Sequence, residues 1–361
     1  MNNMNQLQQQ FSGKVIDLTT SQAKSSKPSI PQYCFNGSVW NGSWDLNEKL
    51  EMPFKKFPAE VDVSQRYHSH FESLCNMTDI LRLASSEVVS GHMNDAMEIE
   101  VIKRMKGLRG EALLQIGSSV DHRLLRIGCP LFGLNRNSHQ EGDLVFWECQ
   151  IPLINFTMIY VFNDALTKAN MPIEKQVRHL EEINSAVAKL GIKAPRYILL
   201  AGIEWDLLWY KDHKKPIDWS EIHSITMEKV SLFQKQFPMA KALFVRTQPF
   251  TMPRKGNPLG PLASKESYQK YNNLFHEVAR KFNPDQNICG GVHVADLAQL
   301  MLFNGTETSG WSDGLHPSGW VSMQFMNILF NVMSLIGEAC VNQTVFTTES
   351  GSLYDLTNQS L

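Results

Sequence analysis

Two apolar periods alternate along residues 110–340. Runs of strand length fall at 112–116, 143–149, 155–162, 196–202, 242–247 and 291–297, several of them rich in β-branched and aromatic residues. Between them apolar positions return at helical spacing. Val120, Leu124, Leu125 and Ile127 predict a helix that opens at Ser118-Ser119. Val177, Leu180, Ile183, Val187 and Leu190 predict another over 174–190, closed by Gly191. Further helices are predicted at 94–107, 219–236, 265–282 and 318–338, with a Pro/Gly loop over 251–264. Strand and helix in alternation predict an α/β fold, a three-layer α/β/α sandwich around a central parallel sheet.

The pattern fades upstream. Residues 1–30 are polar, with Ser and Pro gathered near their end, and predict a disordered leader or stalk. Residues 31–108 form an irregular N-terminal segment expected to pack on the core. It carries Cys34 and a doubled Asn-Gly-Ser, Asn36–Ser38 and Asn41–Ser43, with Trp40 and Trp44 beside the triplets. Tight turns presenting aromatic rings are expected there. Such rings suit a sugar face or, equally, a contact that pins the segment down. Residues 109–340 make the main domain and 341–361 a C-terminal tail. Phe325 to Val341 is strongly apolar, but Asn327, Asn331 and Glu338 interrupt it. It predicts a buried amphipathic helix and no stable membrane span.

Of the 361 residues 43% are hydrophobic and 19% charged, and the formal net charge is −2. A sizeable core is affordable, and no electrostatic reason points to nucleic acid or an anionic membrane. The six cysteines form no CxxC pair, so neither a zinc site of the usual spacing nor a cofactor is called for. His68-Ser69-His70 has no third ligand nearby, and no metal is expected. The even cysteine count allows disulfides without fixing their connectivity. Seven N-x-S/T triplets, at Asn36, Asn41, Asn76, Asn155, Asn304, Asn342 and Asn358, point to the secretory lumen or the extracellular space. Residues 1–10 are Asn/Gln-rich and lack the basic and apolar regions of a signal peptide. Either the chain is a luminal part without its anchor, or it is cytoplasmic and the triplets are idle.

Chemistry concentrates at two places. The first is the end of the strand at 112–116, where Gly117 permits a tight turn and Ser118-Ser119 follow at once. In an open α/β sheet ligands bind at strand ends, and a helix start there leaves backbone N–H groups free for an anion. Either serine is placed to be a nucleophile; a helix cap is the plainer role. The second is Gly310–Ser318, with Asp313 and His316 bracketed by Gly and Pro just before the last helix. An imidazole there suits the proton of a serine, with the carboxylate orienting the ring.

Together these blocks resemble the SGNH/GDSL-type hydrolases, in the PC-esterase branch that includes plant trichome-birefringence-like polysaccharide O-acetyltransferases. Gly117-Ser118-Ser119-Val120 is similar to the family's Gly-Asp-Ser-Leu block, and Asp313–His316 to its Asp-x-x-His block. Asn155–Met158 resembles the branch's Tyr-Asn-x-Thr strand, and Phe244–Pro249 its Phe-Phe-Arg-Thr-x-Ser-Pro segment. Cys34 and the Asn-Gly-Ser-Trp pieces are similar to the segment that precedes its catalytic domain.

The resemblance implies a flavodoxin-like SGNH domain with Ser119 as nucleophile, His316 as base and Asp313 as its orienter. Ser118 stands where the family has Asp, which removes a carboxylate beside the nucleophile. The family's Gly-x-Asn-Asp block has only Ala201–Leu207 as counterpart, without an Asn amide. Tentative oxyanion or substrate residues are therefore Ser118, Gly202, Arg123, Arg246, Trp205 and Trp311. Trp311 and Trp320 line a carbohydrate rim or simply pack the Asp/His loop. The implied activity is that of a serine esterase or O-acyltransferase, with acetyl the expected acyl group, acting on acylated carbohydrate or another small ester. The alternative is a catalytically weak or inactive sugar-binding protein of the same fold.

Overall fold

The computed structural model describes residues 42–51, 67–73, 99, 102–131, 136–141, 144–162, 173–201, 204–251, 263–301 and 315–341. All lie within the compact unit Gln32–Leu361. The expected leader (1–30), the 251–264 loop except its ends, half of the 94–107 helix, and the tail beyond Val341 fall outside the described residues. So do Asp313, Gly202 and Trp311.

An antiparallel hairpin, β1 (Gly42–Glu51) and β2 (Tyr67–Ser73), precedes the main sheet. The His68-Ser69-His70 triplet lies on β2. The main sheet has seven strands: β3 (Ala112–Gly117), β4 (Asn137–Glu141), β5 (Leu144–Ile151), β6 (Phe156–Phe162), β7 (Tyr197–Leu200), β8 (Ala242–Arg246) and β9 (Gly291–Ala295). Their order is β4-β5-β6-β3-β7-β8-β9. The five strands from β6 to β9 run parallel, with β3 near the middle.

The expected α/β architecture is present, and one edge of the sheet adds to it. The sheet is mixed, because β4 and β5 pair antiparallel with each other and β5 antiparallel with β6. The physical reason is the connection. A single 3-10 turn, Pro152–Ile154, closed by Asn155 in the left-handed region (φ 49°), is all that separates β5 from β6. So short a link can join only antiparallel neighbours, since a parallel crossover needs a dozen residues or more.

Helices cover both faces. On one lie α2 (Ile173–Lys189), α3 (Glu204–Asp212), α4 (Trp219–Gln236) and α5 (Lys265–Phe282), packing Leu180, Ile183, Leu207, Ile222, Phe233 and Phe275 against Leu114, Ile159, Ile198 and Val245. Their ends follow the sequence signals. Asp218 caps α4 by accepting the Glu221 N–H at 3.0 Å, Ser264 caps α5, and Gly191 ends α2's turn at φ +69°. The other face carries α1 (Ser119–Leu131) and, beyond the short α6 (Leu297–Met301), α7 (Gly319–Ala339). The predicted amphipathic helix is in fact buried nearly all round: Phe325, Ile328, Leu329, Phe330 and Met333 are fully enclosed. Its Asn331 amide donates to the Asn327 carbonyl at 2.8 Å, and the Ser334 hydroxyl donates to the Arg104 carbonyl at 2.7 Å. No helix among the described residues is long and apolar enough to cross a membrane.

Among the described residues two disulfides tie the layers, Cys129 of α1 to Cys149 of β5 and Cys289 to Cys340 at the end of α7. Closing loops of 20 and 51 residues stabilises the fold by about 3–4 kcal/mol each on chain-entropy grounds.

His293 of β9 is buried beside Phe244 and donates from Nε2 to the Ile288 carbonyl at 3.2 Å. Burial pushes its pKa down from 6.5 to about 4. The unfolded chain therefore takes up a proton, between those two values, that the fold refuses. Stability should be full above pH 6.5 and decline as pH falls towards 4, by up to about 3 kcal/mol. Melting temperature measured against pH should show this decline, and His293→Gln should flatten it. An unchanged slope in the variant would assign the acid lability elsewhere.

Candidate active site

The carboxyl ends of the parallel strands form one rim. Gly117 is in register with Phe162 on one side, Ile116 with Leu200 on the other, and Leu200 with Val245 beyond. At Gly117 the chain turns directly into α1, and the turn is a capping box. Ser118 is buried; its Oγ accepts the Val120 N–H at 3.2 Å, and its carbonyl accepts the N–H groups of Asp121 and His122 at 3.1 Å. Asp121 returns the bond, Oδ2 accepting the Ser118 N–H at 3.0 Å. The carboxylate sits so close that a Cβ at position 117 would come within 2.1 Å of Oδ2. Glycine is required at 117 for that approach.

Ser119 follows as the first residue of α1 and is half-buried. His316 reaches it from the segment just ahead of α7, 197 residues away, with Nε2 2.8 Å from Ser119 Oγ. A hydroxyl at that distance can hand its proton to a neutral imidazole. The Ser119 N–H, first in its helix, has no acceptor among the described residues and points from the positive end of the helix dipole. Ser118 Oγ caps the helix and Ser119 Oγ faces His316, so the two hydroxyls have separate partners.

Arg246 ends β8 and is fully buried. Nε and Nη2 grip both oxygens of the equally buried Asp121 at 2.6 and 2.9 Å, while Nη1 donates to the Thr247 carbonyl at 3.1 Å and to Gln248 Oε1 at 2.7 Å. The expectation of Arg246 as an oxyanion donor gives way here: its fork is committed to Asp121, and through it to the Ser118 N–H. A carboxylate thus stands against the Ser118 N–H from three residues on, held by Arg246. Arg123 is half-buried on the first turns of α1.

A second brace holds the other side of the turn. The Tyr160 hydroxyl lies 2.7 Å from the Ser118 carbonyl and 3.1 Å from that of Gly117. The His122 ring stacks on Tyr160 at 4.9 Å and tilts against Trp147 at 4.5 Å. Burial, with the Arg136 charge beside it, pushes the His122 pKa down to about 4, so the ring is neutral and Nε2 accepts from Arg136 Nη1 at 3.1 Å. Trp205 stands at the start of α3 and meets Phe162 edge-on; its neighbour Asp206 turns inward and is buried near Lys229 of α4. Burial lowers the Lys229 pKa, and the Asp206 charge opposes that shift.

The structure therefore joins Ser119 to His316, and Ser118 to Arg246 through Asp121, and sets Trp205 on the same rim. Sequence reasoning overlooked Asp121, Tyr160 and His122. For Asp121 the signal was there, since Ser118-x-x-Asp121 has capping-box spacing.

No family model matches the chain, and a search of curated proteins finds no match either. Among solved structures the chain is similar to a GDSL-like lipase from Bacteroides thetaiotaomicron. The identity is 11% and the TM-score 0.40, over 67% of this chain and 98% of that one. It is also similar to an acetylxylan esterase from Geobacillus stearothermophilus, at 13% identity and TM-score 0.38, over 62% and 94%. Such values concern chain trace and say nothing of side-chain chemistry.

Proposed function

We propose that this protein is a serine esterase or O-acyltransferase of SGNH type, acting on acylated carbohydrate through Ser119, His316 and Asp313. The observation that carries the reading is the 2.8 Å contact between Ser119 Oγ and His316 Nε2 at the strand-end rim. Ser119 Oγ attacks the ester carbonyl carbon as His316 takes its proton. The tetrahedral oxyanion forms where the Ser119 N–H can donate to it. Collapse expels the sugar alkoxide, which leaves with the proton from His316, and the acyl group stays on Ser119. Water, or a second sugar hydroxyl, then attacks the acyl-enzyme and gives its proton to His316; the second adduct collapses by breaking the bond to Ser119 Oγ, which takes that proton back as the acid or new ester leaves. Asp313, three residues ahead of His316, is assigned as orienter on the motif resemblance. Two disulfides and seven glycosylation triplets support a secretory or extracellular location.

Fluorophosphonate labelling tests the proposal. The wild type should form one covalent adduct on Ser119, and Ser119→Ala should form none while melting within about 1 kcal/mol of the wild type. A wild type that resists labelling would leave the sugar-binding alternative and remove the enzyme.

A further inference from the structure

Among residues with described side chains, Phe162 and Trp205 are the only Phe, Tyr or Trp that are exposed, at 37% and 36%, and they touch each other. Their position follows from the sheet. The strand order is β6-β3-β7, and Phe162 ends β6 in register with Gly117 of β3. Trp205 comes five residues after Leu200 of β7, which pairs with Ile116 on the opposite flank of β3. The edge-to-face contact, with centroids 6.3 Å apart and planes at 74°, therefore spans the end of the nucleophile strand from one side to the other. The partners of the pair fix it there. Phe162 lies two residues beyond Tyr160, whose hydroxyl is bonded to the nucleophile turn, and the burial of Asp206 anchors the start of α3 so that Trp205 turns outward.

Phe162 and Trp205 each keep about a third of their surface in solvent, side by side at the strand-end rim, and so offer a contiguous aromatic surface to a ligand held at Ser119. An ester held at Ser119 has an acyl side and an alcohol side. A two-carbon acyl group is far smaller than a surface built from two rings 6.3 Å apart. A pyranose ring, with its apolar C–H face, matches it.

We infer that Phe162 and Trp205 form the platform on which the sugar ring of the acylated substrate stacks, next to the Ser119 turn. This rests on the esterase reading of the Ser119 site.

The test compares two substrates: an O-acetylated oligosaccharide and ethyl acetate, a sugar-free ester whose alcohol is too small to stack. Aromatic contacts of this kind are worth about 1 kcal/mol each, so the ratio of kcat/KM for the oligosaccharide to that for ethyl acetate should fall about fivefold in Trp205→Ala and in Phe162→Ala. The loss should appear in KM, and Trp205→Phe should restore most of it. An unchanged ratio overturns the inference, as does selective loss on ethyl octanoate, which would put the rings on the acyl side. Calorimetric binding of the same oligosaccharide to Ser119→Ala, with and without Trp205→Ala, separates the two claims. Weaker binding in the double variant supports the platform even if the wild type resists fluorophosphonate. Equal binding overturns the platform even if Ser119 is labelled.

Discussion

Replacing His316 with alanine is expected to lower kcat on an acetyl ester about 10³- to 10⁶-fold. A serine hydroxyl at neutral pH is a poor nucleophile, and the 2.8 Å contact to Nε2 is its route for losing the proton during attack. The same nitrogen must deliver that proton to the leaving alkoxide, so one substitution removes both halves of the transfer. Ser119→Ala should cost as much, and the double variant no more than either single one, because the two side chains act as a unit. His316 is half-buried and lies outside the core, so the melting temperature should barely move. Parallel measurement of kcat and thermal stability on the three variants checks this. More than a tenth of the wild-type turnover surviving in His316→Ala would remove the histidine from the chemistry.

The parts of this site that the sequence disclosed are those carried by periodicity and local spacing. Helices α4 and α5 fall where they were expected, because Asp218 and Ser264 cap them and their apolar faces are continuous. Strand β3 was legible for a similar reason, as an apolar run interrupted only by Gln115 and ended by glycine. The β4–β5 hairpin was not. Asn137–Glu141 is polar, since an edge strand with one solvated face needs little apolar content. Pairing direction is decided by the length of a connection, and the brief Pro152–Asn155 turn makes this edge antiparallel.

At the site itself, a motif could name Ser119 and His316 but not the work of their neighbours. Arg246 belongs to a recognisable segment, yet its role depends on what it meets across 125 residues, and that partner is Asp121. Sequence read the serine at 118 as a carboxylate lost. Folding brings a carboxylate back to the same turn from position 121, which one-dimensional alignment does not display.

That ion pair leads to the largest expected change in stability. Arg246→Met should destabilise the protein by about 3–5 kcal/mol, because it leaves the Asp121 carboxylate buried with no cation. For a domain of this size the melting temperature should drop by roughly 10 °C. Two double variants then separate the charge from the hydrogen bond. Asp121→Asn with Arg246→Met removes both charges but keeps a side-chain oxygen able to accept the Ser118 N–H, as Oδ2 does now at 3.0 Å. Asp121→Leu with Arg246→Met removes the acceptor as well. Both should regain much of the lost stability, since neither buries a lone charge. Their turnover should differ. The Asn variant should keep kcat within about tenfold of wild type, while the Leu variant should lose about 100-fold with little change in KM, the cost of a nucleophile displaced by an ångström or so. Equal kcat in the two doubles would mean that the Asp121 bond to Ser118 does not position Ser119. The pair would then be a support of the fold alone.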